Sequence, residues 1–233
     1  MLAKKKKLGK KNYKEDKLVT YYSKSLEYFE VYRNQIIIGA AVLVVIIAAI
    51  IYFGNQAREL EIEASAELAK VSYLYESRNY EAVINGNPQN NTPSFAEIAD
   101  KYSGTEAGEI ARVNLAHAYF YTGQYDKAIN EYKKYSGDIE IYQAASLAGI
   151  GACYEAKGDN EQAAGSYEDA AFIYENNPQN SEYLLNAAIN YIHSGGYGNA
   201  EDLLNTLKEK YENSSQAREA DKYLAIVQIN SNS

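Results

Sequence analysis

Few residues in this chain are typed and spaced for chemistry. His117 and His193, the two histidines, stand 76 positions apart with no HExxH or related spacing, so they assemble neither a zinc site nor a Ser-His relay. Cys153, the single cysteine, excludes an intramolecular disulfide and any CxxC redox or metal site. Its small position beside Tyr154 suits a buried core thiol. No paired catalytic carboxylates, nucleophile elbow or phosphate-cradling glycine loop can be identified, which predicts a non-enzyme without cofactor, metal or small-molecule substrate. What remains is attraction of charge and burial of apolar and aromatic surface.

The charge is divided along the chain. Six lysines fall in the first eleven residues, and residues 1–34 hold ten Lys/Arg against four Asp/Glu, a net +6. From Asn34 to Ala57 there is no charge at all, and Ile36 to Phe53 is an apolar run of 18 residues. At about 1.5 Å rise per residue such a run matches the roughly 30 Å hydrocarbon core of a bilayer. The body beyond it holds 13 basic and 27 acidic residues, a net −14. A basic arm before one apolar helix and an acidic body after it predicts a single span with a cytoplasmic N-terminus and a body on the far side. The lysines then serve orientation and anionic headgroups rather than nucleic acid. Tyr28, Phe29 and Tyr32 precede the run and Tyr52 and Phe53 close it, as aromatic side chains at the two headgroup levels would. With 33 residues before the charge-free stretch and a poor cleavage site after the run, a cleaved secretory signal is not expected. No lipobox-type cysteine comes after the run, so a lipoprotein anchor is not expected either. The span holds no ionisable residue and no small-xxx-small pair, and so reads as an anchor.

The body repeats. Tyr119-x3-Gly123-Gln124-Tyr125-Asp126-Lys127-Ala128 returns as Tyr154-x3-Gly158 to Ala163 and again as Tyr191-x3-Gly195 to Ala200, with the glycines 35 and then 37 residues apart. Each glycine is expected to end a first helix in the left-handed conformation. Ala128, Ala163 and Ala200 are expected in the following helix, facing Ala116, Gly151 and Ala188, where small side chains let two antiparallel helices approach closely. One such hairpin cannot bury its apolar face alone, so the copies must stack. Upstream, Leu60 to Asn79 reads as a helix, and Phe95, Ile98, Ala99 and Tyr102 form another stripe opened by Thr92 as N-cap with Pro93 behind it. Downstream, Ala217 to Ile229 suits a capping helix.

These hairpins resemble tetratricopeptide repeats. Residues 109–142, 144–177 and 181–214 carry that family's pattern of large, small, Tyr, Gly, Ala and aromatic positions, although its Trp position is Arg112, Leu147 or Leu184. The resemblance implies an all-α fold, an α-solenoid behind a single transmembrane helix. It divides the chain into a basic cytoplasmic arm (1–33), the membrane helix (34–57), a linker helix with a degenerate first repeat (58–108), three repeats (109–214) and a capping helix with tail (215–233). It also places a protein-binding groove on the first helices, with Val113, His117, Phe120 and Tyr121 in one copy and Leu185, Ile189 and Ile192 in the last. None of the fifteen groove positions so assigned is Lys, Asn or Arg, which disfavours clamping of a C-terminal carboxylate and favours an apolar partner helix or unfolded segment. The other occupant to be expected is the chain's own capping helix or linker. Finally, Tyr102-Ser103-Gly104-Thr105-Glu106-Ala107-Gly108 running into a repeat, after a basic arm and one span, resembles the ancillary subunit family of the bacterial Sec translocon. That implies an inner-membrane protein with a periplasmic body that binds translocon, periplasmic chaperone or unfolded client. Two alternatives keep the same elements: an organelle import receptor with a cytosolic repeat domain, and an assembly factor for an envelope secretion or outer-membrane complex.

Overall fold

The computed structural model describes residues 17–231. The lysine cluster between Lys4 and Lys11 and the last two residues lie outside that range. Among the described residues the only regular elements are helices, joined by short turns and one isolated pairing between Asn87 and Thr92. They fall into two compact units divided after Gln56.

Helix α1 runs from Lys17 to Glu76. The expectation of a span followed by a separate helix from Leu60 to Asn79 is therefore corrected. Between Ala57 and Lys70 the sequence is almost entirely Ala, Glu, Leu, Arg and Lys, which propagate a helix, and Gly54 alone does not break it. In the first unit the side chains of the apolar run are exposed almost all round, with Val45 68% exposed.

The second unit begins with the last turns of α1 and continues as α2 (Tyr80–Asn85), α3 (Phe95–Lys101), α4 (Glu106–Tyr121), α5 (Tyr125–Lys133), α6 (Glu140–Ala156), α7 (Asn160–Ile173), α8 (Asn180–Ser194), α9 (Tyr197–Lys210) and α10 (Ser215–Ser231). The Tyr-x3-Gly motif has a mechanical meaning here. Gly123, Gly158 and Gly195 take φ of +75°, +78° and +85°. The residue after each glycine donates its N–H to the carbonyl of the motif's tyrosine: Gln124 to Tyr119 at 2.8 Å, Asp159 to Tyr154 at 2.9 Å, Gly196 to Tyr191 at 2.8 Å. Each glycine donates to the carbonyl of the residue after that tyrosine, Phe120, Glu155 or Ile192, completing a Schellman turn that uses up carbonyls a helix end would leave bare.

α1 ends in the same way. Asn79 donates to the Leu74 carbonyl at 2.9 Å and Arg78 to that of Tyr75 at 2.9 Å, with Arg78 at φ +60°. The last turns of α1 are thus the first helix of a hairpin whose turn glycine is an arginine. α2 starts the return helix, interrupted by a tight loop before α3. In that loop Thr92 is not a cap: it pairs with Asn87, and Ser94 caps α3, accepting from Glu97 N while Glu97 accepts from Ser94 N. The reciprocal bonds of a capping box outcompete the single Thr92-Pro93 signal. The repeated tetrapeptide Asn-Pro-Gln-Asn makes one structure twice, since Asn87 Oδ1 accepts from Gln89 N at 3.1 Å and Asn177 Oδ1 from Gln179 N at 3.0 Å.

Three apolar clusters succeed one another along the second unit. The first joins Ala64 and Val71 of α1 to Phe95, Ile98 and Leu115. The second joins Val113 and Ala116 to Ala128, Tyr132, Ile150 and Cys153. The third holds Tyr167, Leu184, Leu204 and Leu207 with Val227 of α10. The small positions act as expected, with one refinement: a Cβ on Gly151 would meet the Tyr167 ring at 3.0 Å, and one on Gly149 the Tyr132 ring at 2.3 Å. The glycines of α6 admit whole tyrosine rings from α5 and α7.

Arg112, at the family's Trp position, is buried. Its Nη1 donates to Glu131 at 2.9 Å and its Nη2 to the Ala99 carbonyl at 2.9 Å, tying α3 and α5 to α4. Arg112→Ala removes the bonds that tie α3 and α5 to α4, leaving Glu131 with Lys134 alone, and is expected to cost about 2 kcal/mol or more, measured by denaturant unfolding. Arg78→Gly relieves a left-handed non-glycine residue and is expected to raise stability by up to about 1 kcal/mol, whereas Gly123→Ala, at an equally open site, lowers it by a similar amount. Opposite shifts of the melting temperature in these two variants check the shared turn.

Candidate protein-binding groove

The first helices α4, α6 and α8 carry the groove positions. On α4, Val113 is fully buried against the second cluster. His117 shares a 3.1 Å hydrogen bond between its Nδ1 and the Tyr75 hydroxyl of α1, and its ring meets Tyr132 edge-on at 5.5 Å. Phe120 is half-buried, and Tyr121 is 61% exposed with its ring stacked on Tyr80 at 4.8 Å. On α8, Leu185 is buried in the third cluster, with Ile189 and Ile192 packed against it together with Tyr223 and Leu224 of α10. The seven residues therefore form two groups, one beside the end of α1 and one beside α10, rather than a single bare strip. Between them α6 presents small Ala145, Ala148 and Ala152, then exposed Glu155 and Ala156.

Two of the fifteen groove positions are carboxylates, Glu155 and Glu182. Glu155 accepts from the Tyr167 hydroxyl at 2.9 Å. Burial chiefly, and then Glu155 and Glu182, raise the Tyr167 pKa. At the α4–α6 end a cavity of about 240 Å³ has Ile110 in its wall together with Glu106, Glu109, Asp138, Tyr135 and Tyr142. Tyr135 and Tyr142 stand 6.3 Å apart, ring centre to ring centre. Glu109 is buried and accepts from Ser136 N at 2.9 Å, which pins the α5–α6 loop. Glu61 of α1 accepts from Glu106 N at 2.7 Å and Ala107 N at 3.1 Å, so the α4 N-terminus is already answered by a carboxylate. The only sequence signal for the cavity is the Tyr-Ser-Gly that recurs at 102–104 and 135–137 ahead of each first helix.

Neither remaining reactive residue type is poised for chemistry. Burial pushes the Cys153 thiol up to about 12, so it is protonated and inert. Burial lowers His117 to about 4, so at neutral pH it is uncharged. No group of three or more His, Cys, Asp and Glu suited to a metal ion occurs among the described residues.

A family model described as a tetratricopeptide repeat-like domain matches residues 26–150. The chain belongs to that family. No curated protein matches it. The match takes in the apolar run and the helices up to α6, so in this tetratricopeptide repeat-like chain it covers the first of the three legible copies and what precedes it. Such a domain points to a protein-interaction scaffold rather than to catalysis.

His117 gives a pH test of how α1 meets α4. Its folded pKa lies below the unfolded value of about 6.5, so the unfolded chain binds the proton first as pH falls. The residue costs nothing above about pH 6.5. It removes stability between there and pH 4, by about 1.4 kcal/mol per unit at most. Against His117→Gln, the wild-type chain should lose its relative stability progressively across that window, as read by thermal melts at stepped pH. A constant difference would show that the imidazole is not held neutral against Tyr75.

Proposed function

We propose that this protein is a single-pass, membrane-anchored scaffold whose repeat domain binds segments of other proteins, and that it works as an ancillary factor or chaperone-like adaptor at the bacterial Sec translocon. The observation that carries the reading is one sequence holding a charge-free apolar helix, basic before it and acidic after it, joined to a repeat domain without chemistry of its own. A helix apolar on every face has no stable place in water, and here it is long and apolar enough to cross a bilayer. The charge difference favours a cytoplasmic N-terminus and a periplasmic body. Val113, His117, Phe120, Tyr121, Leu185, Ile189 and Ile192 border the surface on which a partner lies. The Sec assignment draws on the run from Tyr102 to Gly108 ahead of a repeat and on the order of anchor and body.

Protease added to intact spheroplasts should remove the body and leave the basic arm protected. Crosslinking in membranes followed by purification should bring down translocon subunits or periplasmic folding factors. Protection of the body would overturn the topology, and recovery of neither class of partner would overturn the translocon role while leaving the scaffold.

A further inference from the structure

Among the described residues the first unit holds one element, the part of α1 that ends at Gln56, and it is longer than a bilayer requires. Ahead of the charge-free stretch, residues 19–34 extend α1 by about 24 Å. Their side chains divide between two faces. Tyr22, Ser25, Phe29, Tyr32 and Ile36 form a seam with successive intervals of 3, 4, 3 and 4 residues. Val19, Leu26 and Arg33 flank it on one shoulder, Tyr21 and Tyr28 on the other. The opposite face carries Thr20, Ser23, Lys24, Glu27, Glu30 and Asn34, with Val31 its one apolar residue. No described element covers the apolar face, where Tyr22 is 66% and Phe29 48% exposed. Residues 1–16, seven of them lysine, offer too little apolar surface to do so.

Such a helix does not hold itself in water. Half of residues 19–34 are β-branched or aromatic, which are weak helix formers, so the segment draws its stability from packing. The bilayer surface does not supply that packing, because α1 runs unbroken through Arg33 and Ile36 and keeps a face ahead of the span out of the headgroup plane. Intervals of 3 and 4 are those of helices lying side by side, and they pass into the span in phase at Ile36 and Gly39. A second copy of the chain is anchored in the same direction at the same height, so it meets this seam residue for residue. The charges suit a copy as well: Lys24, Glu27 and Glu30 stand on the back, where like charges of two parallel copies stay apart. Ser25, the one small polar residue of the seam, donates to the Tyr22 carbonyl at 2.8 Å and leaves no bare donor in a covered interface.

We infer that the segment of α1 ahead of the span is a self-association surface, on which two copies of this chain pair in parallel. Tyr22, Ser25, Phe29 and Tyr32 meet their counterparts. On the shoulders Tyr21 faces Leu26 of the second copy, and Tyr28 faces its Arg33, ring to guanidinium. The inference goes beyond the groove and the translocon reading and depends on neither. A pair brings two repeat domains to one point of the membrane, which strengthens the hold on any partner with two segments to offer.

The test uses the full chain in membranes, with Cys153→Ala removing the native thiol. Single cysteines enter by Ser25→Cys or Tyr32→Cys in the seam and by Glu27→Cys or Asn34→Cys on the back. A short bis-maleimide should give several-fold more covalent dimer from the seam sites than from the back. In mild detergent, light scattering should find the protein mass of two chains. Tyr22→Glu with Phe29→Glu should reduce it to one while circular dichroism keeps its helical signal, and Lys24→Gln with Glu30→Gln should leave it at two. Equal crosslinking from seam and back, or none, overturns the inference. A dimer that survives the paired glutamates moves the contact elsewhere in the chain and also overturns it. So does a monomer whose seam cysteines are shielded from a charged maleimide, which assigns the face to lipid, or one whose seam cysteines crosslink only to another protein.

Discussion

Every element of the second unit answers to one constraint: a helical hairpin of this composition has more apolar surface than its two helices can hide from each other. Ala128 and Ala116 bring α5 and α4 close, but Val113, Tyr132 and Leu115 still point outward from that pair and are covered only by α6 on one side and by α1 to α3 on the other. Stacking is therefore obligatory, and the series must be closed. α10 closes one end with Ala217, Ala220 and Val227, while exposed Glu219 and Lys222 face away. The other end is closed by the last turns of α1, which contribute Ala64 and Val71.

The same constraint explains which parts of the fold were legible in the residues. Tyr119, Tyr154 and Tyr191, each four places before a glycine, declare their helix ends because the left-handed turn admits glycine with least strain and the bond to the tyrosine carbonyl fixes the interval. Hence three hairpins and the capping helix were readable. The hairpin before them is readable only as a degenerate repeat, because Arg78 fills the glycine's place and nine residues, Gly86 to Ser94, divide its return helix into α2 and α3. No pattern of residue types distinguishes a strained arginine from an ordinary loop arginine. The end of the apolar run was misread as a helix boundary because polarity changes there, whereas hydrogen bonding along the backbone does not depend on which solvent surrounds the side chains.

The candidate site was legible only in part, for a related reason. Position within a repeat tells which side chains leave the inner face of a first helix, and on that ground Val113, His117, Phe120, Tyr121, Leu185, Ile189 and Ile192 are the proposed groove residues. It does not tell what the neighbouring elements do with that face. His117 is met by Tyr75, forty-two positions earlier, and Ile192 lies in the cluster completed by α10. Both contacts depend on where the ends of the array fall. Glu155 falls on the groove face by its place in the repeat, but that Tyr167 of the next helix donates to it depends on packing that residue types do not declare.

Arg112 shows why unpaired and paired charges in this body are different kinds of observation. A guanidinium buried beside α4 would be ruinous if solvated by nothing, yet here a carboxylate from α5 and a carbonyl from α3 take up its donors, so a charge stands where the family places a tryptophan. The pair belongs to a small network that reaches the surface, since Arg112 also stands 3.5 Å from Asp100 and Glu131 accepts from Lys134 at 2.7 Å. Most carboxylates of this body, Glu106, Asp138 and Glu182 among them, have no ion-pair partner among the described residues, and their field reaches outward over about a Debye length, roughly 8 Å at physiological salt. A structure that answers its buried guanidinium from three neighbouring groups, while leaving most of its surface carboxylates to solvent, has interior charges that serve folding and surface charges that act through their summed field.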